Sequence, residues 1–476
     1  MGIKIGILVV YFAIMVGIGL YCRKHATDVK GFVLGGRSVG PWLTAFAYGT
    51  SYFSAVVFVG YAGQFGWKYG IASTWIGLGN AIIGSLLAWV VLGRRTRIMT
   101  QHLDSATMPE FFGSRFDSKS LKIGASALIF IFLIPYTASL YNGLSRLFAM
   151  AFDIDFTICV IVMAVLTGIY VIAGGYMATA INDFIQGIIM LFGICAVIAA
   201  VLQSKGGFTE AMHSLAEVQD PEATTMNGAF ASFLGPDPLN LLGVVVLTSL
   251  GTWGLPQMVQ KFYAINSENA IKKGTIISTL FAVVVSGGCY FLGGFGRLFS
   301  DQVDVVANGF DSIIPTMLSG LSDALIGLVV FILISVVIAL IQYNSSVTFI
   351  AQLMGISWGA LAGSFLGPLI YGLYWKKTTK SGCWASFIFG AGTMILVMLC
   401  PQIFPAVLQS PINAGAFAMI ASLILVPVVS LLTPKPSDKL VDECFSCYEA
   451  PATVASKVAL PDEEELENRE KKQSKK

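Results

Sequence analysis

Charge is scarce in this chain. Only 12% of its 476 residues are Asp, Glu, Lys or Arg, while 55% are hydrophobic and the mean hydropathy is +0.76. The formal net charge of +2 gives no basic field that would draw in a nucleic acid. The eight cysteines are scattered, most of them inside apolar runs (Cys159, Cys195, Cys289, Cys400), so no disulfide framework is implied. Cys444 and Cys447 make a single C-x-x-C, half a zinc site at best, and read as free cytosolic thiols. No phosphate-binding loop is present, which leaves ATP-driven transport without support. GISWG at 355–359 has the G-x-S-x-G spacing of serine hydrolases, but no strand precedes Ser357. The three histidines, His25, His102 and His213, all fall in predicted loops. An enzyme is not expected.

Apolar runs are what the chain has in abundance. A membrane span needs about 20 apolar residues, and runs of that order recur at 5–22, 41–65, 71–93, 123–150, 157–176, 180–202, 240–258, 275–296, 324–341, 347–374, 384–400 and 411–433. The first is too long for a signal peptide and lacks its small-residue cleavage site, so it counts as a span. The expected class is an all-α polytopic membrane protein with about 12 apolar segments. Its lipid-embedded part would be 1–434, and 435–476 a polar tail, acidic at 462–467 and basic at 469–476, solvated or disordered.

Positive charge sorts by side. Connectors 23–40, 94–122 and 259–274 carry Arg23, Lys24, Lys30, Arg37, Arg94, Arg95, Arg97, Arg115, Lys119, Lys122, Lys261, Lys272 and Lys273, and those between carry little. The positive-inside rule therefore places these three loops in the cytoplasm and the N-terminus outside. After residue 323 the alternation fails, because simple crossings at 324–341 and 347–374 would put Lys376, Lys377 and Lys380 outside.

Two spans read badly as continuous helix. In 41–65, Gly49, Thr50, Ser51 and Ser54 interrupt the apolar run; in 240–262, Gly251, Gly254 and Pro256 do so. Hydrocarbon offers no partner to a freed backbone group, so such breaks are tolerated only against protein or a water-filled cavity. Interrupted spans at corresponding places of two oppositely oriented halves point to an inverted-repeat transporter, with carbonyls free for a cation and N–H groups for an anion. Asp183 is an ionisable residue at membrane depth, expected to serve a cation, a proton or a partner charge; the plainer alternative has it capping a helix that begins near Ile181. Arg146 is expected to snorkel, and Phe208 to Leu215 to form an outer amphipathic helix over the entrance. Gly359, Gly363 and Gly367 mark a close helix–helix face.

FVLGGRSVGPWLTAFA at 32–47, MPEFFGSRF at 108–116, GGYMATAINDFIQG at 174–187, GLPQMVQKF at 254–262 and SWGALAGSFLGPLIYGLYWKK at 357–377 together resemble the sodium:solute symporter family. That resemblance runs to about Pro434. It implies the leucine-transporter-like fold of two inverted five-helix repeats, one helix before them and two after, 13 in all. The first repeat would be 41–202 and the second, truncated, 240–375. It further implies sodium as coupling ion, a small organic solute as cargo and the plasma membrane as location. By position, one sodium would be held by the carbonyls of Thr50 and Phe53, and the further sodium site of several members would involve Asp183. The solute would lie against Ser51, Tyr52, Ser54, Tyr136, Thr252, Trp253 and Gln257.

The sequence departs from the family at one place. LIGLVVFILI at 325–334 runs straight into SVVIALIQYNSS at 335–346, as if two half-spans and the loop between them were deleted near 334–335. That would fuse two helices and explain the failed crossing count. Ser335 is then the lone hydroxyl where the family has a Ser/Thr run, and Ser345 and Ser346 fall in the outer loop. Two carbonyls without those hydroxyls need water to complete a sodium shell, so weak or absent coupling is expected. A transport-incompetent homologue or solute-binding sensor is the alternative. Tyr52, Thr248 and Thr252 stand where proline carriers have an acid and an aromatic pair. That disfavours proline and leaves amino acids, carboxylates and sugars open.

Overall fold

The computed structural model describes residues 10, 13–14, 16–22, 29–53, 56–152, 156–221, 224–305, 309–319, 321 and 350–448, without the side chains of most of 140–174. Among the described residues the chain is helical, with no strand beyond an isolated bridge between Val39 and Ile265. Among the described residues, seven helices are long and apolar enough to cross a membrane, or eight counting one bent pair. The segment expected at 324–341, the junction at 334–335 and Ser54 lie outside the described residues, and the segment at 5–22 is described in part.

The first expected break is present. Helix α1, Pro41–Tyr52, starts on a proline that needs no N–H partner there and ends at Phe53, whose backbone is non-helical (φ −103°, ψ 63°). A π-helical segment, Val56–Tyr61, and α2, Ala62–Tyr69, carry the span onward to a turn at Gly70. Gly70 has a positive φ of 60°, and a Cβ there would lie 2.0 Å from the Phe230 carbonyl oxygen, so only glycine fits. The chain returns through α3, Thr74–Gly79, two π-helical segments, Asn80–Leu87 and Trp89–Gly93, and α4, Arg94–His102. Next come α5, Met108–Arg115, and α6, Lys119–Phe152. Helix α7, Phe156–Ser204, is two spans joined at a non-helical Gly175, which matches the expected pair 157–176 and 180–202.

The second expected break is present too. Helices α9, Pro238–Gly254, and α10, Pro256–Ala264, meet at an extended Leu255 with a 46° bend. Pro256 cannot donate and ends one helix while starting the next. Before them lies α8, Phe208–Glu217, the expected outer amphipathic helix. After them, α11, Glu268–Gly293, packs against α1, α2 and α3. Helices α12 (Ile350–Tyr374), α13 (Lys380–Leu399) and α14 (Pro411–Leu432) form a tightly packed trio.

Small residues set the closest approaches. A Cβ on Gly66 would fall 2.0 Å from the Gly293 backbone, and one on Gly367 2.5 Å from the Ser422 carbonyl, so α2 meets α11 and α12 meets α14 backbone to backbone. The stripe Gly359, Gly363 and Gly367 thus does mark a helix–helix face, and Ser357, deep in α12, donates to the Phe132 carbonyl at 2.6 Å rather than standing on a strand–helix turn. Outward, Phe130, Phe192, Leu399 and Leu432 are exposed, as lipid-facing side chains are.

The described parts of the basic connectors meet at one end of the bundle. Arg37, itself at φ 58°, donates to Thr100 Oγ1 (3.3 Å), to the Thr100, Ser105 and Tyr263 carbonyls (3.2, 2.6 and 3.1 Å). Val39 N–H donates to the Ala264 carbonyl (3.2 Å), Asn266 N–H to the Val39 carbonyl (3.0 Å) and Gln260 Nε2 to the Val33 carbonyl (3.0 Å). At the same end Arg95 reaches the Leu373 carbonyl (3.0 Å) and Arg115 the Gly372 carbonyl (2.9 Å). Residues 372–376 therefore share a face with 94–115. The crossing count that would have sent Lys376 to the other side does not hold.

The tail expectation needs correction over its first part. Helix α15, Asp438–Phe445, with Ser437 as its N-cap, docks on this basic end. Phe445 lies under the Arg115 guanidinium (4.8 Å), and Arg95 is held between the rings of Tyr374 (4.1 Å) and Tyr448 (4.6 Å). His102 Nε2 meets the Glu443 carbonyl at 2.8 Å. Apolar and aromatic residues at Val441, Phe445 and Tyr448 make this segment a packed one, where composition alone suggested solvation. Cys444 and Cys447 are free thiols, Cys444 is buried, and burial pushes the Cys447 thiol up to about 11, which keeps it protonated near neutrality.

Two outcomes test this arrangement. Single cysteines at Asp117 and Lys377, in a background without native cysteines, are expected to share one labelling pattern towards a membrane-impermeant reagent, opposite to a cysteine at Met226. Gly66→Ala is expected to cost about 1–3 kcal/mol or more from overpacking in thermal unfolding. Gly392→Ala, where a Cβ meets nothing within 4 Å, should be neutral or stabilising.

Candidate binding site at the two helix breaks

The last hydrogen bond described in α1 runs from Phe53 N–H to the Gly49 carbonyl, 2.8 Å. The carbonyls that follow, beginning at Thr50, belong to the helix C-terminus, where partial negative charge collects. Thr50 is fully buried and donates its hydroxyl to the Phe46 carbonyl (2.9 Å), which leaves its main-chain oxygen as the group suited to a cation. Phe53 stacks on Tyr52 with ring centroids 4.2 Å apart. Ser51 is half-buried at the same helix end.

A polar cluster joins the two breaks. Tyr52 Oη donates to the Thr248 carbonyl at 2.6 Å. Thr252 Oγ1 (3.0 Å) and Tyr48 Oη (2.6 Å) both donate to the Gly84 carbonyl, and Trp253 Nε1 to the Ile83 carbonyl (3.0 Å). Ile83 and Gly84 sit in the π-helical turn Asn80–Leu87, and such turns concentrate at functional positions. Asn80 centres the rest: its Oδ1 accepts from Thr248 Oγ1 (2.8 Å) and Ser249 Oγ (3.2 Å), and its Nδ2 donates to Ser286 Oγ (3.3 Å). Tyr52, Thr252 and Trp253 are thus brought together, with their polar atoms engaged on carbonyls.

Asp183 lies two turns beyond the Gly175 break, inside α7, so it caps no helix. Its carboxylate is buried and close to Thr50, and it faces Lys261 Nζ at 3.9 Å across the repeats. Lys261 corrects the sequence reading. Counted among the loop lysines, it is in fact buried on α10, its ammonium also 5.0 Å from the Tyr176 ring centroid. Tyr136 is buried beside Gln257, whose amide atoms are buried without a hydrogen-bond partner. The side chain of Arg146 is outside the described residues.

A cavity of about 520 Å³ opens at the end away from the basic loops, lined among others by Phe65, Lys68, Tyr69, Asn240, Arg297 and Asn413. None of the expected solute residues that are described lines it. Sequence reasoning missed Asn80, Ser249 and Lys261; Asn80 carried a signal, a lone amide in an otherwise apolar span. Among the described residues no group of three His, Cys, Asp or Glu could hold a metal ion. Carbonyls and one carboxylate remain, a hard-oxygen set apt for a hard monovalent cation.

Asn80→Leu is expected to destabilise the protein by about 1–3 kcal/mol, since Ser249 loses its acceptor inside the bundle. Tyr52→Phe should cost about 1 kcal/mol. Thermal unfolding of the purified variants checks both, and equal stability of Asn80→Leu and wild type would contradict the cluster.

Comparison with known proteins gives this geometry its relatives. The model of the sodium:solute symporter family matches residues 32–326. The osmoregulated proline transporter OpuE of Bacillus subtilis (strain 168) is 26% identical, over 90% of this chain and 94% of its own. The sodium/proline symporter of Staphylococcus aureus (strain JH9) is 27% identical, over 90% and 92%. The OpuE alignment spans 479 positions, more than the 476 residues of this chain, so the relative has residues that this chain lacks. Among solved structures, a Na+-coupled sialic acid symporter in a substrate-bound outward-open state shares the fold, with a TM-score of 0.63 at 14% identity, covering 91% of this chain and 99% of that one. The family model covers more than half of the chain and the solved neighbour shares its architecture: this protein is a multi-pass membrane protein of the sodium:solute symporter family, whose coupling ion is sodium.

Proposed function

We propose that the chain carries a small organic solute across the plasma membrane together with sodium, by alternating access around the two helix breaks. The observation that carries this reading is the placement of Asp183 beside Thr50, at the end of the first half-helix, in a bundle whose second broken helix packs alongside. In it, Thr50 and Phe53 offer carbonyls and Asp183 a carboxylate to sodium. Ser51, Tyr52, Tyr136, Thr252, Trp253 and Gln257, with Ser54, face the solute in at least one state of the cycle. Gln257 is the best supported of these, because a buried amide without a partner is costly unless a ligand satisfies it.

The zipped basic end and the cavity at the other end fit an outward-facing arrangement, with the basic loops and the tail in the cytoplasm and the N-terminus outside. Tyr52 and Thr252 are occupied with internal carbonyls here, so solute recognition by them requires those bonds to open. An amino acid, carboxylate or sugar-like solute remains the cargo class. The named relatives are proline transporters, which makes proline the first compound to assay.

The test is uptake into proteoliposomes under an inward sodium gradient, with proline, other amino acids, monocarboxylates and sugars as candidates. A solute whose accumulation needs sodium and collapses when the gradient is dissipated supports the reading. Asp183→Asn is expected to raise the sodium requirement or abolish uptake, and Gln257→Ala to weaken solute affinity by about tenfold, equivalent to about 1.4 kcal/mol. Flux that is indifferent to sodium would overturn it.

A further inference from the structure

We infer that Lys261 is a tethered cation that occupies the sodium position at Asp183, and that sodium enters there only in exchange for its ammonium. The inference rests on the reading of Asp183 as a sodium ligand and adds to it a residue that sets when the position is vacant.

The geometry is that of a displaceable pair. Lys261 Nζ and Asp183 Oδ2 are 3.9 Å apart, too far for a hydrogen bond, with side chains only 10% and 12% exposed. The ammonium is shared with the π-face of Tyr176 at 5.0 Å. A carboxylate this deep needs a counter-charge, because an unpaired charge in the interior is strongly unfavourable. One cation meets the need. Adding sodium while the ammonium stays would leave a net positive charge where dielectric screening is weak, so the two are mutually exclusive. The Thr50 side chain adjoins the same carboxylate.

The exchange is mechanically linked to the basic end. Lys261 rides on α10, a helix of nine residues, and the same stretch of chain is tied down by Arg37 at the Tyr263 carbonyl and by Val39 at Ala264 and Asn266. Withdrawing the ammonium and loosening this closure are one movement of α10. Lys261 is a positioning residue, acting through Asp183 on sodium, with no contact to the solute required.

The test uses the full chain in lipid nanodiscs, following thermal unfolding while NaCl replaces choline chloride at constant ionic strength. Lys261→Met is expected to lower the half-saturating sodium concentration by roughly tenfold or more, since the competing charge is gone. Lys261→Arg, which keeps the charge, should behave as wild type, and Asp183→Asn/Lys261→Met should lose the gain. A purely structural lysine would lower stability in Met and double variants alike without moving the sodium midpoint. If Lys261→Met does not survive purification in choline, its rescue by sodium, repeated with Lys261→Gln, supports the inference, and failure of sodium to rescue either overturns it. An unmoved midpoint in Lys261→Met, or a gain that persists in the double variant, also overturns it. Sodium-driven uptake by the wild type in that event leaves the symport reading standing. A shifted midpoint without any uptake would sink symport and keep the exchange at Asp183.

Discussion

Two helices stop inside an apolar slab, and the main-chain groups freed there must meet protein, ligand or cavity water, because hydrocarbon offers them no partner. At Phe53 and Leu255 the helical ladder ends at membrane depth. Beside the breaks, side chains bridge neighbouring helices: Tyr52 to the Thr248 carbonyl, Tyr48 and Thr252 to Gly84, Trp253 to Ile83, and Asn80 to Thr248, Ser249 and Ser286. Each bond is modest in net terms, and each would be expensive to leave unmade in hydrocarbon. The same donors fix how the two repeats sit against each other.

Close packing follows from this. For Tyr52 to lie against Gly84 and for α2 to meet α11 at Gly66 and Gly293, side chains must be absent at those points. In lipid the hydrophobic effect does not drive helices together, so backbone proximity and interhelical hydrogen bonds carry the association. The basic end adds a different device. Arg37 reaches carbonyls and a hydroxyl on three separate segments, and the docked α15 uses Phe445 and Tyr448 to cover Arg115 and Arg95. Guanidinium groups suit this because their planar donors and faces serve carbonyls and rings at once.

Much of the fold was legible in the sequence, for reasons that can be named. Glycine at 49, 251 and 254 and proline at 256 are local breakers, so the interruptions at Phe53 and Leu255 could be read without tertiary information. The candidate site was legible in part. Thr50 and Asp183 were singled out from the sequence, and the structure sets the Thr50 side chain beside the Asp183 carboxylate, whereas Asn80 and Lys261 escaped. Asn80 is one amide in an apolar run, and its role depends on partners 168 and 206 residues away. Lys261 was grouped with the loop lysines because charge near a span end is ordinarily solvated.

The sequence by itself determined that this is a membrane protein, where its helices break and which family it belongs to, because hydropathy, breakers and motifs are local properties of the chain. Only the tertiary structure decided that residues 372–376 join the basic end, that 438–448 docks there, and that Lys261 sits against Asp183. Those facts depend on which helix faces come within a few ångströms of each other. Packing of the whole bundle sets such distances, and no window of sequence contains them.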